Sequence, residues 1–91
     1  MTRPERAQII LEAVDKTLPI PGYLQNDVKE AIVKAQVLSE KSRFNTHRYQ
    51  ALIIFVEIDR VYPIPVHRTG WVIETITDAI KELEDHETKT T

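Results

Sequence analysis

Without a single cysteine, this chain must draw any chemistry from carboxylates, histidines and basic side chains. That absence excludes disulfides, thiol nucleophiles and thiolate-built zinc sites. Two acid–base neighbours, Asp15-Lys16 and Asp59-Arg60, could in principle supply a carboxylate pair for general acid–base work. Neither aspartate has a histidine, serine or second carboxylate at useful spacing, so helix-end chemistry is the better reading. The cation favours a helix carboxyl terminus, and the aspartate takes a donor from the following corner. His47, His67 and His86 are scattered over a linker, a corner and a tail, without the spacing of helical metal ligands. Gly22 and Gly70 belong to no phosphate-cradling loop. No catalytic residue, metal, cofactor or small-molecule substrate is expected. One charged cluster remains, Lys41, Arg43, His47 and Arg48, which could contact the phosphates of a nucleic acid. Glu82, Glu84 and Asp85 are expected at the same end and should blunt its field.

The elements that hold these residues follow from a repeat. Ala7 to Ala35 lies on Ala51 to Ala79 without a gap, at an offset of 44. Ala7/Ala51, Ile10/Ile54, Asp15/Asp59, Pro19/Pro63, Ile20/Ile64, Pro21/Pro65, Val28/Val72 and Ile32/Ile76 are identities. Self-similarity at a fixed period means one supersecondary unit used twice. Each unit reads as helix, Pro-Ile-Pro corner, helix. Ala7, Ile10, Leu11, Val14 and Leu18 make the apolar stripe of a first helix, opened by the capping-box spacing of Thr2 and Glu5. Prolines 19 and 21 stop it, and a second helix runs from about Leu24 to Glu40. Asn45 or Thr46 can cap a third helix, whose stripe is Ala51, Ile54, Phe55, Ile58 and Tyr62. Thr69 can cap a fourth.

The spacing therefore predicts an all-α domain over residues 1–91, a four-helix up-down bundle of two tandem helical hairpins, 3–40 and 46–84, with a polar tail at 85–91. A stacked solenoid of the HEAT type has a similar period, and Asp27 to Ala31 resembles the second helix of such repeats. Solenoids need three or more units, so the closed bundle is preferred. Ile10, Val14, Ile32, Ile54, Phe55, Ile58 and Ile76 are expected in its core, with Trp71 packed over a corner. The longest apolar run, Ala51 to Val56, is too short to span a membrane. Thr2 to Gln8 lacks the apolar core of a signal peptide, so a cytoplasmic protein is expected.

Function is sought where the repeats diverge. Tyr49, Leu52, Ile53 and Val56 fall on the third helix opposite its core stripe, where the first helix carries Glu5, Gln8, Ile9 and Glu12. An apolar outer face marks an interface unless the chain itself covers it. The expectation is a non-enzymatic interaction protein using these four residues, with a protein partner or itself as a homodimer. A nucleic-acid-binding regulator using the basic cluster is the alternative.

Overall fold

The computed structural model describes residues 2–43 and 46–89, with side chains for 2–43 and 46–85. Four helices form in chain order: α1 (Arg3–Thr17), α2 (Gly22–Glu40), α3 (His47–Val61) and α4 (Thr69–Lys89), the last preceded by one 3-10 turn at Val66–Arg68. No strand occurs among the described residues.

Local geometry repeats as closely as the residues do. Thr2 caps α1 through a full capping box, and Thr46 caps α3 by accepting from the Tyr49 N–H at 3.1 Å. The alternative cap, Asn45, lies outside the described residues. Both helices are 15 residues long and end on an extended residue, Leu18 (φ −135°, ψ 97°) and Tyr62 (φ −138°, ψ 99°). That conformation is what a following proline imposes. Asp15 then accepts the Ile20 N–H at 2.7 Å, and Asp59 accepts the Ile64 N–H at 2.8 Å. The two aspartates are thus corner braces, which accounts for both without any catalytic role. Asp59→Ala orphans a buried corner N–H and is expected to cost about 1–2 kcal/mol. Asp59→Asn, whose amide oxygen can still accept, should recover part of it. Unchanged thermal unfolding of the alanine variant would show that the brace carries no stability.

Each helix packs on its neighbour in sequence, and α1 closes the ring against α4. The diagonal pairs make no backbone contact among the described residues. The result is a four-helix bundle around Ile10, Val14, Val28, Ile32, Ile54, Ile58, Val72, Ile76 and Ile80. The two hairpins also share a clasp at the linker end. Arg3 on α1 pairs with Glu40 at the end of α2, and His47 on α3 pairs with Glu84 near the end of α4.

The structure corrects several expectations. Phe55 is only partly buried, although Leu11 at the equivalent place is in the core. Its ring outgrows the space that a leucine fills. Trp71 is 65% exposed, so most of its ring faces solvent rather than packing over the corner. Thr69 does not cap α4, because the chain is already turning at Val66 and the Thr69 hydroxyl donates back to the Pro65 carbonyl at 3.4 Å. Helix α2 starts two residues before Leu24, and α4 continues through Lys89 rather than ending at Glu84.

Candidate interaction surface

Helix α3 buries Ala51, Ile54, Glu57 and Ile58. Its opposite side faces away from the bundle centre and is only partly covered by the described chain. Leu52 is 41% exposed, Val56 45% and Tyr49 36%, with Ile53 half-buried beside them. Leu38, 43% exposed, joins them from α2. These side chains and Glu57 line an open groove of about 390 Å³ along the α2/α3 seam.

The repeat supplies an internal control for this face. At the sequence offset of 44, residues of the α2/α3 seam correspond to residues of the α4/α1 seam. There, Tyr49, Leu52 and Val56 become Glu5, Gln8 and Glu12, and Leu38 becomes Glu82. Along α4, Glu74, Asp78, Glu82 and Asp85 form one exposed acidic row. Two helices of the same length and similar caps, α1 and α3, thus differ in their outer faces, polar on one and apolar on the other.

Two members of the site were not recognised in the sequence. Leu38 lies on α2, and the contrast of Leu38 with Glu82 at the offset of 44 is the sequence signal for it. Glu57 is a carboxylate only 7% exposed, where the first repeat has Ala13. It is held by Arg60 Nη1 at 3.1 Å and Lys34 Nζ at 3.7 Å, so its charge is paired. Beyond it the seam continues as a second groove lined by Lys34, Arg60, Ala31, Glu30 and Asp27.

The basic cluster is less concentrated than the sequence suggested. Lys41, Arg43 and Arg48 are exposed, but His47 is tied to Glu84 across the α3/α4 hairpin. At that end Arg3, Arg6, Gln36, Ser39, Glu40 and Glu84 surround a hollow of about 110 Å³. The hydrogen bond from Arg3 is the main reason that the Glu40 carboxyl is held below the usual carboxylate range. Arg6 Nε and Gln36 Oε1 have no protein partner there, and the hollow has room for about three waters at roughly 30 Å³ each. The Ser39 hydroxyl donates to the Gln36 carbonyl at 2.9 Å rather than to a base, so no activated nucleophile is formed. No group of three metal-ligating side chains occurs among the described residues. His86 lies outside the described side chains.

Neither a protein-family profile, a curated protein nor a solved structure matches this chain. No helix among the described residues is long and apolar enough to cross a membrane.

Proposed function

We propose that this is a non-enzymatic interaction protein of the cytoplasm, an adaptor, inhibitor or assembly factor, which docks a protein chain on its α2/α3 face. A second copy of itself is the simplest occupant. The observation that carries this reading is the open groove of Leu38, Tyr49, Leu52, Ile53 and Val56, where the offset of 44 places Glu82, Glu5, Gln8, Ile9 and Glu12. Contiguous exposed apolar groups of this kind mark binding surfaces on small proteins, and an aromatic with aliphatic neighbours is the usual make-up of an interface centre.

The nucleic-acid reading would use Lys41, Arg43 and Arg48. It is weaker on three counts. His47 is engaged by Glu84, and the acidic row on α4 opposes a polyanion approaching the same small bundle. Base readout also needs polar side chains on a helix face, and the outer face of α3 is apolar.

A dilution series of isotopically labelled protein followed by NMR tests the proposal. Between about 1 mM and 10 μM, a range matched to a weak to moderate dimer, amides around Leu38, Tyr49, Leu52 and Val56 should shift. Those of Glu5, Gln8 and Glu12 should not. Shifts confined to the α1/α4 face would contradict the assignment of the surface.

A further inference from the structure

The hollow at the linker end is lined from all four helices: α1 supplies Arg3 and Arg6, α2 supplies Gln36 and Ser39, α3 supplies Gln50 and α4 supplies Ile80. At the offset of 44 the two repeats bury the same positions here with different chemistry. Gln36 and Ser39, 9% and 4% exposed, answer to Ile80 and Leu83, 1% and 4% exposed. The first repeat thus places an amide and a hydroxyl where the second has two aliphatic side chains. The hydroxyl is satisfied, because Ser39 donates to the Gln36 carbonyl. The side-chain oxygen of Gln36 is not, and neither is the Nε–H of Arg6. A buried donor or acceptor without a partner is destabilising, so both call for a group from outside the chain.

The neighbouring charges are occupied with one another. Two arginines, Arg3 and Arg6, and two carboxylates, Glu40 and Glu84, line the hollow and cancel. Arg3 pairs with Glu40, whose carboxyl is held down first by that hydrogen bond and further by the charge of Arg6. Glu84 is engaged by His47. What remains is one N–H donor and one amide oxygen beside an aliphatic wall of Ile10, Ile54 and Ile80. A mostly apolar wall with a few convergent polar groups is the usual make-up of a small-molecule site.

We propose that this hollow binds a small uncharged molecule of the amide or urea class, whose carbonyl accepts from Arg6 Nε and whose N–H donates to Gln36 Oε1. Its volume of about 110 Å³ sets the size of such a ligand. An anion would be opposed by Glu40 and Glu84, and a cation by Arg3 and Arg6. Water can serve the same two polar groups, but only an alkyl substituent also gains from the isoleucine wall. The site lies between the hairpins and does not rest on the α2/α3 face, so the two proposals stand or fall separately.

Acetamide, acetate and methylammonium are similar in size and differ in charge. Each is titrated to about 100 mM into isotopically labelled protein at one protein concentration, and NMR follows the Gln36 side-chain amide and the Arg6 Nε–H. So small a ligand binds weakly, with a dissociation constant expected at roughly 1–10 mM. Acetamide should give saturable shifts at both groups, and the two ions should not saturate. Gln36→Ile and Arg6→Gln, which install the residues of the second repeat, should each weaken acetamide binding at least about ten-fold. Circular dichroism checks that helical content is kept, and the two variants act on separate helices, so one can stand in for the other. Saturation by acetate in place of acetamide would overturn the uncharged class. Shifts that rise linearly with all three probes would show hydration alone and overturn the site. Undiminished binding by both variants would place the ligand elsewhere on the protein and overturn it as well.

Discussion

Ile58→Ala should be the most damaging single truncation on α3, at about 2–5 kcal/mol, whereas Phe55→Ala should cost clearly less, about 1–2 kcal/mol. Both side chains lie on the stripe that the helical period points inward. The difference comes from what surrounds them: Ile58 is fully enclosed, while Phe55 packs against the core with part of its ring exposed. Removing three carbons from an enclosed site leaves a cavity that neighbours cannot fill, in addition to the lost transfer energy. At Phe55 the ring is already partly in contact with water, so truncation vacates a less enclosed site. In a domain of this size each kcal/mol moves the melting temperature by roughly 4–8 °C, so the two variants are easily separated. Equal melting temperatures would mean that the ring of Phe55 is as enclosed as Ile58.

A second large effect is expected at the surface, and on association rather than on folding. Leu52→Gln with Val56→Glu gives α3 the residues that α1, a helix of the same length and similar caps, carries at Gln8 and Glu12. The bundle should therefore melt within a few degrees of the wild type. Burying the new amide and carboxylate against another chain would cost several kcal/mol, and two central contacts are lost as well. A rise in the dissociation constant of at least about 100-fold is the expected outcome. Loss of helicity in this variant would show instead that Leu52 and Val56 belong to the folded core.

Much of the fold was legible because its signals are local. Prolines 19, 21, 63 and 65 fix both corners, the capping oxygens of Thr2 and Thr46 fix two helix starts, and the three-and-four spacing of Ile10, Val14, Ile54 and Ile58 fixes the buried stripes. The outer apolar face of α3 was legible for a related reason, since the duplicate offers a comparison at each position. What escaped depends on relations between helices. Leu38 joins the patch because α2 rather than α4 borders that side of α3, and no periodicity within either helix says so. Glu57 reads as a solvated charge by its residue type, yet Lys34 and Arg60 allow it to lie nearly buried beside the groove. Trp71 reads as packed over the Pro-Ile-Pro corner because it falls off the apolar stripe near the start of α4. The 3-10 turn at Val66–Arg68 delays the start of α4, and the ring remains exposed.

Sedimentation of the wild type and of the Leu52→Gln/Val56→Glu protein, over about 10 μM to 1 mM, tests the central claim most directly. The claim is that the α2/α3 face is an interaction surface occupied by a second copy. The wild type should shift from monomer toward dimer with rising concentration, and the double variant should stay monomeric while keeping the same helical content. A wild type that is monomeric throughout, or a double variant that dimerises as the wild type does, would contradict it.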